Sequence, residues 1–225
     1  MMNFLSHYYF ERDTTDANVI LGVVLPDFVK NAEKSYNLYP AKEIHTFQGD
    51  PSQLSLYHGW ERHIKVDAIF HSSTFFTEQT QILKQLLIPI MGNSPVKPFF
   101  LAHIGLELVL DHLLVLKEDV EVGLFYDALQ ESDKIALNLF LQNCGLPDTK
   151  PFFNFLNGFI SGKYLFSYQK IENISYALNR ICMRVWNNPF SPEQVDQLTI
   201  QLESYKELLE PIYLSIFNEI EPQLK

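Results

Sequence analysis

The chain has 225 residues and a formal net charge of −10, so it lacks the pervasive basic field of a protein that coats nucleic acid. A hydrophobic fraction of 47%, with 18 Phe and 11 Tyr, excludes a disordered composition and leaves ample material for a core. The two cysteines, Cys144 and Cys182, stand alone in their segments, which excludes a disulfide framework and a thiolate zinc motif and points to a reducing, cytoplasmic setting.

Met1–Phe10 is aromatic, contains His7, and has none of the marks of a signal peptide. Asp13-Thr14-Thr15-Asp16 predicts a helix start, followed by apolar Ala17–Leu25, an interruption at Pro26 and renewed helix at Phe28-Val29-Lys30. Residues 35–51 read as a connection, and a second helix is expected over about 52–70 with Ser52 as its cap. Further helices follow at Thr74–Ile90 and at about 96–116. The latter segment is the nearest approach to a membrane span. It holds His103, Glu107, Asp111 and His112, which are expensive in lipid, so a buried core helix and no membrane partner are expected. Val120–Cys144 predicts one or two helices, Phe152–Ile160 and Ile174–Trp186 one each, and Ser191-Pro192-Glu193 opens a last helix bent at Pro211. No strand alternation competes with this periodicity. The expected fold is an all-α, single-domain helical bundle over 1–225, with 1–117 carrying the candidate site and 118–225 packing on it as a helical elaboration.

Two stretches carry chemistry. His63, Asp67 and His71 recur every four residues within an otherwise apolar helix, which places them on one face. His103, Glu107 and Asp111 repeat that spacing, and His112 follows directly. Imidazole and carboxylate stripes facing each other between helices make metal sites in bundles. The ligand set suits manganese, iron or zinc, and magnesium where carboxylates dominate. His45 and His58 read as ordinary surface or core histidines, and the phenylalanines as core.

These residues resemble a known family. Met2-Asn3-Phe4-Leu5-Ser6-His7, the Gly22–Lys30 run with Pro26-Asp27-Phe28-Val29-Lys30, the Gly59–Asp67 segment, and Glu107 followed by Asp111-His112 resemble, in order and spacing, the acyl carrier protein phosphodiesterase family. The resemblance implies a fold related to the HD-domain phosphohydrolases and a metal-dependent hydrolase. It implies release of 4′-phosphopantetheine from holo acyl carrier protein, a role in lipid metabolism, and a divalent metal, manganese before magnesium, iron or zinc. Carried over by position, the metal would be held by His7, Asp27, His63, Asp67, Asp111 and His112, with Asp67, Asp111 and His112 catalytic. Helical spacing adds His71, His103 and Glu107 as a possible additional site. Lys30, Lys34, Arg62 and Lys65 are the cations expected to dock an acidic carrier protein or a small phosphodiester.

The chain also departs from the family. Ile64 replaces an arginine, His71 an aspartate and Ser73 a histidine, and no tryptophan lies in 113–117. Arginine is the bidentate phosphate ligand, so these changes bear on substrate. Two other readings stand beside the phosphodiesterase: an HD-like metal hydrolase or oxygenase of an unrelated small molecule, and a helical interaction protein without catalysis.

Overall fold

Two glycines set a close helix crossing. In the computed structural model, which describes residues 2–224, α2 (Ala17–Ala32) lies against α4 (Pro51–Ser72) with Gly22 and Gly59 in direct apposition. A Cβ at Gly59 would stand 2.4 Å from the Val19 carbonyl oxygen and 2.7 Å from the Gly22 Cα, and one at Gly22 would stand 2.5 Å from the Leu56 carbonyl oxygen. Only hydrogen at both positions allows the backbones this close. Pro26 does not interrupt α2 as expected. It removes one intrahelical bond, but the helix runs through to Ala32 because packing on α4 holds both halves in line.

Local signals explain where the helices begin. Asp16 caps α2 by accepting from the Asn18 and Val19 N–H groups, and its other oxygen accepts from Ser55 Oγ on α4 at 2.6 Å. The cap of α4 is Asp50, followed by Pro51 at the first position; the expected cap, Ser52, lies one turn-step inside, where its N–H donates to Asp50. Ser73 ends α4 and caps α5 (Thr74–Met91). The connection 35–51 contains one 3-10 turn, Pro40–Lys42, and the short α3 (Ile44–Phe47).

The apolar 96–116 segment forms α6 (Pro98–Leu116), the central helix. It is the single described helix long and apolar enough to cross a membrane, and it is mostly buried within the protein. Before it stands the six-residue α1 (Phe4–Tyr9), packed on α6 and α2. The segment 120–144 divides into α7 (Val122–Glu131) and α8 (Lys134–Asn143), split at Asp133, which caps α8. Then come α9 (Lys150–Gly162), a 3-10 stretch at Tyr164–Gln169, α10 (Ile171–Met183), α11 (Pro192–Leu209) and α12 (Leu214–Ile220). A capping box at Ser191 and Gln194 starts α11, and the break near Pro211 separates it from α12. No strand occurs among the described residues, so the fold is all-α. The helices after 117 cover the earlier ones: α7 and α9 pack on α2, and α10 and α11 on α5 and α6.

Candidate metal centre and the cavity beside it

The glycine crossing places His63, one turn beyond Gly59, beside the Pro26-Asp27 turn of α2. His63 donates through Nδ1–H to the Val23 carbonyl at 2.7 Å. That bond fixes the tautomer and leaves Nε2 as the lone-pair nitrogen. His63 Nε2 lies 3.6 Å from Asp67 Oδ2 and 3.9 Å from Asp27 Oδ1. His7 enters from α1, its ring stacked on that of His63 with centroids 3.8 Å apart, and its Nε2 is 3.4 Å from Asp67 Oδ1. The Met2 N–H donates to the same Asp67 oxygen at 2.7 Å. Donor atoms of His7, His63 and Asp67 fall within 4.8 Å of one another.

This group is short of hydrogen-bond partners. Neither ring nitrogen of His7 has a hydrogen-bond partner, nor does Asp27 Oδ1, although both residues are buried. Buried polar atoms are costly when unpaired, and a cation among them would partner one His7 nitrogen and the Asp27 oxygen at once. Burial and then the nearby His7 lower His63 to about 3, so its Nε2 lone pair is available at neutral pH. Burial, followed by the charge of Asp67, raises Asp27 well above the carboxylate range. Burial pushes Asp67 in the same direction, but contact with His7 and the proximity of His63 outweigh it and hold Asp67 well below its ordinary value. Two histidines and one or two carboxylates form a borderline-to-hard donor set, suited to manganese, iron or zinc.

The second stripe forms its own group. His71 Nε2 lies 3.1 Å from His103 Nε2, and His103 Nε2 lies 2.8 Å from Glu107 Oε1. His71 Nε2 to Glu107 Oε1 is 3.6 Å. Burial would raise Glu107; its contacts with His103 and His71 prevail and lower it. Phe76 packs edge-on against both rings, and Phe99 against His103.

Asp111 and His112, expected at the centre with His63 and Asp67, go elsewhere. Asp111 Oδ1 accepts from Ser6 N–H at 2.8 Å and Ser6 Oγ at 2.7 Å, and Oδ2 accepts from Leu5 N–H at 3.1 Å. It caps α1 from across the core, in place of Asn3, whose side chain makes no cap. Burial pushes its carboxyl up to about 7 against those three bonds. His112 lies about 100° further round α6, where its Nδ1–H donates to the Tyr168 carbonyl at 2.6 Å.

The cations also separate. Lys30 lines a cavity of about 220 Å³ together with Tyr36, Tyr39, Trp60, His63 and Asp67. Its Nζ donates to Asn37 Oδ1 at 2.7 Å. Ile64, at the expected arginine position, faces this cavity and is half exposed. Arg62 instead pairs with Glu11 and donates to the Leu224 carbonyl at 3.1 Å, tying α4 to the C-terminal turn. Lys34 is exposed and reaches the Arg184 carbonyl at 3.5 Å, and Lys65 is exposed. Sequence reading missed Tyr36, Tyr39 and Trp60, since the first two lie in a stretch without periodicity. It also missed a second cavity of about 330 Å³ with Arg180 and Arg184 in its wall. Those two arginines, four apart at the C-terminal end of α10 and its cap, were the available signal.

The sequence has a counterpart among known families. The acyl carrier protein phosphodiesterase family model matches residues 2–220. The chain belongs to that family. The match spans α1 through α12, including the second half of the chain, where no motif is visible by eye. No curated protein and no solved structure matches the chain. Membership together with the two donor groups fits a metal-dependent hydrolase.

Proposed function

We propose that this chain is a metal-dependent phosphodiesterase that releases 4′-phosphopantetheine from holo acyl carrier protein. The observation that carries the reading is the buried convergence of His7, His63 and Asp67, with Asp27 Oδ1 unpartnered beside them, at the wall of the 220 Å³ cavity. The metal would be held by His7, His63 and Asp67, with Asp27 able to join. When bound, a divalent cation supplies positive charge at phosphate oxygens and lowers the pKa of water. Val23 and Met2 orient the ligands: the Val23 carbonyl sets the His63 tautomer, and the Met2 N–H holds one Asp67 oxygen. Lys30 offers the cavity its cation in place of the arginine that Ile64 replaces. Trp60, Tyr36 and Tyr39 offer apolar walls to the pantetheine chain. In the reaction, water oxygen bonds to phosphorus, the bond to the serine oxygen of the carrier protein breaks, and that oxygen leaves with a proton. We place Asp111 as a positioning residue that holds α1, and thereby His7, in register.

The test is release of the arm from holo carrier protein in the presence of manganese, followed by the mass loss of the protein. Wild type should release it, and Asp67→Ala should not. Hydrolysis of a small phosphodiester without release from the carrier protein would discard the carrier protein and keep the hydrolase. Activity on neither, with no metal bound, would favour the non-catalytic interaction protein.

A further inference from the structure

We propose that His71, His103 and Glu107 form a second, separate cation site that takes a zinc-class transition metal and leaves a coordination position open to solvent. This inference does not rest on the phosphodiesterase reading.

The geometry carries it. Around a tetrahedral zinc with bonds of about 2.0–2.1 Å, ligand atoms lie about 3.4 Å apart. The three separations here are 3.1, 2.8 and 3.6 Å, all between single atoms that converge on one point. The tautomers also suit a metal. His71 donates Nδ1–H to the Asp67 carbonyl at 2.8 Å, so its Nε2 bears the lone pair. His103 Nε2 faces that lone pair and a carboxylate oxygen together. A metal ion at that point would take all three atoms as ligands.

The donor set differs from that of the first group only in lacking a second carboxylate such as Asp27 beside it. Two imidazoles and one carboxylate suit zinc, cobalt or nickel and disfavour magnesium or calcium. The surroundings differ as well. The His71 and His103 side chains are 27% and 22% exposed, whereas Glu107 is buried, so the carboxylate anchors the site from inside and the imidazoles border solvent. Phe70, Phe76 and Phe99 wall the rings and restrict their rotation. Three protein ligands with one solvent-facing side are the pattern of an open site, not a closed structural one.

Cobalt tests this directly. The metal-free full-length protein is titrated with cobalt chloride, and bound metal is counted after gel filtration while the visible absorption of coordinated cobalt is followed. Wild type should bind two equivalents. His103→Ala should bind one and lose this site's share of the absorption, and it should keep manganese-dependent turnover. Asp67→Ala should lose the other equivalent and retain that absorption. A count unchanged by His103→Ala would overturn the second site, as would a single equivalent in wild type that only Asp67→Ala removes. His71→Asp separates folding from ligation: it keeps a donor of another type, so it should retain a metal but shift selectivity from zinc toward manganese. Unaltered selectivity in His71→Asp would also overturn the assignment.

Discussion

The two donor groups share α4, one turn apart, yet they are built differently. His7, His63 and Asp67 depend on three helices whose placement comes from elsewhere: the Gly22–Gly59 crossing brings α2 to α4, and Asp111 brings α1 to α6. His71, His103 and Glu107 come from α4 and α6 alone, both long helices capped by their own sequence or set by packing. The first group is buried and faces a cavity; the second opens to solvent between phenylalanines. The difference teaches that periodicity along a helix places a donor on a face, while the partner it meets is decided by how closely backbones approach.

The largest effect should come from exchanging the removed ligand. Asp67→Ala should lower turnover on the order of 10³-fold, since charge stabilisation at the reacting phosphate is lost. His103→Ala should leave turnover within a few-fold of wild type. Steady-state assays on holo carrier protein with manganese check both. Equal losses in the two variants would dissolve the distinction and make the groups one centre.

Asp111 gives the next test, because only the first group relies on it. Burial raises its carboxyl to about 7, so the folded protein keeps a proton that the unfolded chain loses near pH 4. Native binding of more protons means that this contribution to stability is present below about pH 4 and is lost as pH rises through about 7. At about 1.4 kcal/mol per pKa unit, the change is on the order of 4 kcal/mol. The stability of wild type minus that of Asp111→Asn, from urea melts at several pH values, should therefore fall by that amount between about pH 4 and pH 7. A gap independent of pH would mean that the Ser6 and Leu5 hydrogen bonds keep the carboxylate ionised in the fold. In either case, cobalt absorption at the second group should be untouched.

Much of this architecture is legible in the sequence. The helix starts at Asp16 and Ser191 and the four-residue stripes on α4 and α6 are local properties, carried by side chains close in sequence. The non-local parts are not. Asp111 matches a motif beside His112, but nothing in its neighbours says that its oxygens face Ser6, more than a hundred residues away. Pro26 suggests a break, because intrinsic propensity cannot register the support that α4 gives to both halves of α2. Arg62 sits in a motif near His63 and reads as a docking cation. Adjacent helix positions point about 100° apart, and its side faces Glu11.

The glycine crossing supplies a smaller but selective perturbation. In Gly59→Ala the new methyl would meet the backbone of Val19 and Gly22, which cannot yield as a side chain does. Overpacking of this kind costs about 1–3 kcal/mol, a fall of roughly 2–12 °C in melting temperature for a chain of this size. The separation of α2 from α4 should pull Asp27 away from His63 and weaken metal at the first group while the second keeps its cobalt spectrum. Loss of both metals at full helicity would show that the α4–α6 pair also depends on the crossing.

The smallest effect concerns approach of the substrate. Lys30 borders the cavity of the first group, and Arg62, three residues after Gly59, belongs to the Glu11–Leu224 network on another side of α4. An exposed cation that meets an acidic carrier protein contributes equally to ground and transition states, so its loss raises KM without changing kcat. A rim charge is worth about 1 kcal/mol or less, or roughly fivefold. Lys30→Gln should therefore raise KM for holo carrier protein by a few-fold, with the difference shrinking at higher salt. Arg62→Gln should leave KM alone and lower the melting temperature, because it removes a partner from the half-buried Glu11 pair and from the Leu224 carbonyl. A rise in KM for Arg62→Gln and none for Lys30→Gln would move the carrier-protein face from the cavity of the first group to the C-terminal side of α4.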